Sequence, residues 1–312
     1  ITGTNGKTTI THLINHILTD NNFFAPMGGN IGYSATSIAL DIITKKIRKP
    51  DFIVMEISSY QIEAGENIFP RIGICSNITP DHLERHKTFE KYRRIKLDLL
   101  KRSTSKILNG DDIEIRKESR IYKDCIWVGS KKYYHERNCN NFWVNERGIL
   151  MEKNEEIFNT SMLKISGSHN IENVLLATAA AREIGISAED ISKSLITFKG
   201  IPHRLESIFI SEKLNIINDS KATNFEAARI GLKAISGPSI IIIGGRIKKG
   251  NPSSWLSQLK KSSKAIIIFG ESSSILYNLI KKSGFEGKSI CCKDLNDAFL
   301  QSIDLSKKIN IK

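Results

Sequence analysis

The sequence has no run of about 18 apolar residues, so no segment of it reads as a membrane-spanning helix. The residues present carry no signal-peptide pattern. The five cysteines, Cys75, Cys125, Cys139, Cys291 and Cys292, form no C-x-x-C pair. That spacing argues against a zinc site or a disulfide framework and fits a reducing, cytoplasmic location. There is no internal repeat, no low-complexity segment and no basic stripe interleaved with aromatic residues. The chain opens on Ile1-Thr2-Gly3 rather than on Met, inside a strand-to-loop pattern, and Ile309-Asn310-Ile311-Lys312 resembles a strand cut short. Truncation at both ends is therefore expected.

What is present suits an ordinary globular protein. The 312 residues are enough for two domains of about 150 each, and a 40% hydrophobic share supports packed cores. The formal net charge of +13 raises the question of nucleic acid. The basic residues are spread along the chain, and the longest grouping is the short Lys45-Lys46-Ile47-Arg48-Lys49. A nucleic-acid footprint concentrates on one face, so none is expected, whereas a phosphate-rich small substrate suits such a balance.

Strand and helix patterns alternate. Helical spacing runs from Thr8 to Leu18, Phe89 to Leu100, Asn170 to Ile184 and Ala188 to Phe198. Asp51–Glu56 and Ile72–Asn77 read as buried parallel strands. Residues 121–165 read as short β pieces forming a lateral sheet or hairpins. A boundary is expected at Gly200-Ile201-Pro202, after which strands near 214–217, 239–243, 265–269 and 289–291 alternate with helices, as in an open doubly wound sheet.

Gly3-Thr4-Asn5-Gly6-Lys7-Thr8-Thr9 stands between a strand end and a helix start. Glycines let backbone N–H groups converge on phosphate oxygens, Lys7 would reach the β/γ-phosphates and Thr8 would ligate Mg²⁺. Only the G-x-x-G-K-T core of the phosphate-loop pattern is present, because Ile1 occupies the place of its first glycine. A glycine-capped turn is the plainer alternative. Glu56 ends a buried strand, where ligands of open α/β sheets collect, yet a loop carboxylate or ion-pair partner would read the same. His82, beside Asp81 at another strand exit, also fits a surface histidine, and Lys96 also fits a solvated helix lysine.

Taken together, Gly3–Thr9, Glu56–Glu63, Asn77–His86, Lys96, Gly167–Asn173, Pro202-His203-Arg204 and Asp219-Ser220-Lys221 resemble the Mur ligase family, in family order and over nearly the whole chain. Asn218–Asn224, Gly28–Gly32 and Ser58-Ser59-Tyr60-Gln61 resemble the member that joins D-glutamate to UDP-N-acetylmuramoyl-L-alanine. The resemblance implies an α/β fold. A P-loop ATPase domain with a mainly parallel sheet would occupy residues 1–200, and an incomplete Rossmann-like, amino-acid-binding domain residues 201–312.

It further implies an ATP-dependent amide ligase of peptidoglycan synthesis, working through an acyl phosphate. ATP would meet Gly3, Thr4, Asn5, Gly6, Lys7, Thr8 and Thr9, with Asn170 and Asn173 on the adenine side, Asp219 on the ribose and Arg204 reaching the phosphates. Two Mg²⁺ ions would be held by Thr8 and Glu56 and by His82 and a carbamylated Lys96. Lys7, His82, Lys96 and Arg204 would be catalytic. Asn30, Ser58 and Gln61 would contact the muramoyl substrate, and Lys221, Thr223 and Lys248 the D-glutamate. Lys249 rivals Lys248, helix capping rivals the roles of Asn170 and Asn173, and His203 would only shape the hinge. A monomer without nucleic-acid or membrane partners is expected, and the chain by itself is expected to be inactive. A folylpolyglutamate synthetase-like ligase, a P-loop ATPase acting on nucleic acid and a non-catalytic remnant are the rival readings.

Overall fold

A computed structural model describes residues 1–117, 124–135, 138–165, 167–211, 214–235, 237–247 and 250–309. Two compact units divide between Lys199 and Gly200.

The first unit runs α1 (Lys7–Asp20), β1 (Met27–Gly29), α2 (Ala35–Ile43), β2 (Val54–Glu56), α3 (Ser59–Ala64), β3 (Ile72–Cys75), α4 (Leu83–His86) and α5 (Phe89–Lys101). It continues with β4 (Ser105–Asn109), α6 (Ile113–Arg116), β5 (Ile126–Val128), β6 (Tyr133–His135), β7 (Asn138–Cys139), β8 (Phe142–Val144), β9 (Ile149–Glu152), β10 (Glu155–Asn159), α7 (Ser168–Ile184) and α8 (Ala188–Thr197).

Residues 1 and 2 join what would otherwise be two sheets. Thr2 pairs in parallel with Cys75 of β3. On the other side the Ile57 amide donates to the Ile1 carbonyl at 2.8 Å. The parallel order is therefore β1, β2, Ile1–Thr2, β3, β4, β5. β8 joins β5 in parallel, and β8, β9 and β10 then run antiparallel. The expected lateral sheet is thus an antiparallel extension of the main sheet, and among the described residues β6 and β7 form a separate antiparallel pair. Near-continuous apolar strands follow from burial on both faces: Ile74, Cys75, Ile107 and Leu108 are buried, and α1, α5 and α7 supply cover with Leu13, Leu100 and Leu176.

The second unit opens with an antiparallel pair, β11 (Glu206–Ile210) and β12 (Asn215–Asn218). There follow α9 (Phe225–Ala234), β13 (Ser239–Gly244), α10 (Ser253–Ser262), β14 (Ser263–Phe269), α11 (Ser273–Lys282), β15 (Lys288–Cys291) and α12 (Leu295–Ile309). β13, β14 and β15 form a parallel sheet in sequential order. Leu232, Trp255, Leu259 and Leu276 from α9, α10 and α11 cluster on Ile266 and Ile268. Ala265 and Ile267 point to the opposite face by strand alternation, and α12 packs on β13 and β14. Helices on both faces make this the doubly wound pattern. Ile309 ends a helix, so the strand expected to begin there does not; 310–312 lie outside the described residues.

Candidate functional site

The phosphate-loop candidate links Ile1–Thr2 to α1 and lies against the exit of β3. Gly3 (φ 143°) and Gly6 (φ 85°) occupy left-handed backbone conformations. A Cβ on Gly3 would overlap Ser76 Oγ, and one on Gly6 would overlap Asn173 Oδ1, so both glycines also permit close approach. The Thr4 amide donates to the Asn77 carbonyl at 2.8 Å. The Asn5 amide donates to Asn77 Oδ1 at 2.8 Å, and Asn77 Nδ2 returns a bond to the Asn5 carbonyl at 3.1 Å. Asn77 is therefore a brace of this loop that the sequence did not single out. Lys7 Nζ donates to the carbonyls of Gly3 and Thr4, at 2.9 and 2.8 Å. Thr9 is buried within α1.

Glu56 closes β2 and is 2% exposed. Its Oε2 accepts from the Thr8 hydroxyl at 2.8 Å, and its Oε1 from the Asn30 amide at 2.9 Å. Parallel pairing of β1 with β2 places Asn30 just beyond the Gly29–Glu56 register pair. A buried carboxylate held by neutral donors is costly unless a cation compensates it. Hard oxygen donors of this kind suit Mg²⁺.

Lys96 is 2% exposed, so it is not the solvated helix lysine that its neighbours suggested. Its Nζ donates to the Gly3 carbonyl at 2.7 Å and lies 4.8 Å from the centre of the Tyr92 ring. Burial, followed by repulsion from Lys7, lowers its pKa to about 7. Tyr92 is buried as well, and its hydroxyl lies 3.0 Å from Thr4 Oγ1.

His82 is exposed, with a left-handed backbone (φ 52°), and its Nδ1 lies 3.3 Å from Tyr60 Oη. A cavity of about 250 Å³ is lined by Lys7, Asn30, Ser58, Ser59, Tyr60, Asp81, His82, Tyr92 and Lys96. Five of the expected site residues thus meet at the C-terminal ends of parallel strands. Among the described residues no group of three or more His, Cys, Asp or Glu side chains is disposed to hold a metal. Any ion here would depend on Thr8, modified lysine or bound phosphate as further ligands.

Asn170 and Asn173 are buried in the first turns of α7, and Asn173 Nδ2 donates to Asn170 Oδ1 at 3.2 Å. The helix begins at Ser168 with Gly167 as its N-cap, so helix capping does not explain the two asparagines. Asn173 instead abuts Gly6 of the loop. Ser58 and Gln61 form a capping box at the start of α3, which accounts for part of their polarity by helix chemistry alone.

In the second unit, the Leu205 amide donates to Asp219 Oδ1 at 3.1 Å and the Lys221 amide to the His203 carbonyl at 3.0 Å. The Thr223 amide donates to the Lys221 carbonyl at 2.9 Å. His203, Arg204, Asp219, Lys221 and Thr223 therefore share one turn-rich cluster at the β12 exit. Burial raises the Asp219 pKa, countered by the Leu205 amide and the Arg204 charge. Lys248 and Lys249 lie outside the described residues.

Comparison with known proteins gives the family. The model of the Mur ligase middle domain matches residues 1–181. The UDP-N-acetylmuramoylalanine–D-glutamate ligase of Prochlorococcus marinus (strain MIT 9313) is 47% identical over 98% of this chain and 66% of the relative. That of Synechococcus sp. (strain CC9902) is 45% identical over 96% of this chain and 65% of the relative. The chain spans just under two thirds of the length of these relatives. Among solved structures, the MurF ligase from Thermotoga maritima in complex with ADP superposes with a TM-score of 0.64 at 15% identity, covering 99% of this chain and 79% of the other. A UDP-N-acetylmuramoyl-L-alanyl-D-glutamate–2,6-diaminopimelate ligase gives 0.66 at 19% identity, covering 95% and 68%. With more than half its length matched by the family model, and with the loop, the carboxylate and the buried lysine gathered at one sheet end, the chain belongs to the Mur ligase family.

Proposed function

We propose that this chain carries the nucleotide-binding and amino-acid-binding parts of the ATP-dependent ligase that joins D-glutamate to UDP-N-acetylmuramoyl-L-alanine. The observation that carries the reading is the meeting of Lys7, the Thr8–Glu56 pair and Lys96 around one glycine loop. The names of the relatives above 40% identity supply the substrates.

In this reading the acceptor carboxylate takes the γ-phosphoryl group of ATP, and ADP leaves. The D-glutamate amine then attacks the acyl carbon, phosphate leaves and the ammonium proton is lost. Lys7 neutralises the phosphates that must approach a carboxylate, and Gly3, Thr4, Asn5 and Gly6 would form the loop that cradles them, with Thr9 backing the loop. Thr8 and Glu56 would hold one Mg²⁺, which supplies charge compensation on the transferring phosphoryl group. His82 and a carbamate on Lys96 would hold a second. A lysine with a pKa near 7 is partly neutral at physiological pH, and its free amine can add CO₂ with loss of one proton. Asn170 and Asn173 would serve the adenine side. Asn30, Ser58 and Gln61 would meet the muramoyl-alanine. In the second unit Arg204 and Asp219 would serve the nucleotide, and Lys221, Thr223 and Lys248 the D-glutamate. A cytoplasmic monomer is the matching state; among the described residues no helix is long and apolar enough to cross a membrane.

The test is phosphate release from ATP by the full-length natural protein. Release should require both UDP-N-acetylmuramoyl-L-alanine and D-glutamate, with L-glutamate failing to replace the D isomer. Release indifferent to the sugar but raised by DNA would overturn the reading. With ¹³C-bicarbonate, one carbamate resonance should appear and vanish in Lys96→Ala.

A further inference from the structure

Behind the wall of the cavity lies a histidine that the roles above leave unused. His86 is fully buried at the end of α4. Its Nε2 lies 2.9 Å from Ser59 Oγ, and its Nδ1 has no hydrogen-bond partner among the described residues. The ring packs between Tyr60 and Tyr92, at centroid distances of 5.3 and 5.6 Å. Burial lowers its pKa, so the ring is neutral near pH 7 and carries one N–H and one lone pair. Orphaned buried donors are rarer than under-used acceptors. The proton therefore belongs on Nε2, where it has a partner, and the bare lone pair on Nδ1.

That tautomer fixes the direction of the bond: His86 Nε2–H donates and Ser59 Oγ accepts. The serine hydroxyl keeps its own proton to give. Ser59 lines the cavity together with Lys7, Asn30 and Lys96. We infer that His86 is a positioning residue that holds Ser59 as a hydrogen-bond donor to the acceptor carboxylate. This rests on the function proposed above. Ser58, the adjacent residue, engages Gln61 in the capping box, so Ser59 is the hydroxyl of this pair presented by the histidine.

The experiment uses the full-length natural protein and has two arms. Nitrogen-15 NMR of the imidazole, in the absence of substrates near pH 7, should show His86 as the neutral Nε2–H tautomer. A Nδ1–H tautomer or a charged ring overturns the inference, whatever the protein's substrates prove to be. In steady-state kinetics Ser59→Ala should raise KM for the UDP-sugar acid about tenfold, leaving KM for ATP within about twofold. His86→Leu should do the same, Ser59→Ala/His86→Leu should be no worse than either alone, and His86→Gln, which keeps a donor, should recover part of the loss. Losses that multiply in the double variant, or that fall equally on ATP, overturn the inference. If His86→Leu does not fold, His86→Gln against Ser59→Ala decides. Absence of any ligation sinks the proposed function instead, and the NMR arm still decides the tautomer.

Discussion

Lys96 and Lys7 share one acceptor: their ammonium groups donate to the same Gly3 carbonyl, at 2.7 and 2.9 Å. Two cations on one oxygen repel, and only one of them is deeply buried. The proton on Lys96 is therefore weakly held, and its pKa falls from 10.5 to about 7.

This predicts a pH signature in stability. Below about pH 7 folded and unfolded chains both hold the Lys96 proton, and the penalty of burying the charge is present in full. Between about pH 7 and about pH 10 the unfolded chain keeps a proton that the folded chain has released, so stability rises with pH. Denaturant midpoints of the wild type should gain on those of Lys96→Met across that window. Titratable groups that do not interact with Lys96 cancel in the comparison. Parallel profiles would refute the assignment.

Glu56→Gln should separate folding from metal binding. The amide keeps the shape of the side chain, and the Thr8 hydroxyl can turn to accept where it now donates. Apo stability should therefore hold or rise, since a buried charge is removed. Affinity for Mg-ATP should fall by at least about tenfold, with little change for ATP in excess chelator. Calorimetric titration with and without Mg²⁺ reads both. An equal loss in both conditions would mean that Glu56 only braces the loop.

Much of this site was legible because the loop, Glu56 and His82 each follow a strand, and strand exits on one edge of a parallel sheet must converge. The burial of Lys96 was harder to see. Its partner is 93 residues away in sequence, and the local stretch Lys91–Lys101 is strongly basic. A signal existed: Tyr92, Lys96, Leu99 and Leu100 fall on one helical stripe, and the others are apolar or aromatic. The antiparallel β11 escaped because Ile208, Phe209 and Ile210 are exposed and show no alternation of burial. Ile309 read as a strand residue because Ile309-Asn310-Ile311 alternates apolar and polar residues, although Leu305 and Ile309 continue the helical i, i+4 spacing. The joining of two sheets through Ile1 and Thr2 is a long-range pairing that no local pattern encodes.

Gly6→Ala tests the loop and α7 together. Left-handed backbone at φ 85° costs an L-residue about 1–2 kcal/mol. The added methyl would also push Asn173 out of its buried place. The variant should lose about 2 kcal/mol or more and bind nucleotide weakly. Gly6→Ala/Asn173→Ala should regain part of the stability but not the nucleotide affinity. Urea denaturation and nucleotide titration would check both halves, and full additivity of the two substitutions would sever the proposed contact.

Asp219 and Gly231 offer the same logic in the second unit, with opposing local preferences that make the outcome diagnostic. Gly231 sits inside α9, where alanine is intrinsically better by about 1 kcal/mol. Yet a Cβ there would overlap Asp219 Oδ2, whose carboxylate also accepts from the Leu205 amide. Gly231→Ala should therefore destabilise by about 1–2 kcal/mol, because the carboxylate must move and the amide loses its partner. In an Asp219→Ala background the same substitution should become neutral or stabilising, since only helix propensity remains. The sign change, read from denaturant midpoints of the four proteins, measures the coupling directly. If Gly231→Ala stabilises in both backgrounds, α9 does not press on Asp219, and the cluster of His203, Arg204, Asp219 and Lys221 is held by its own turn alone.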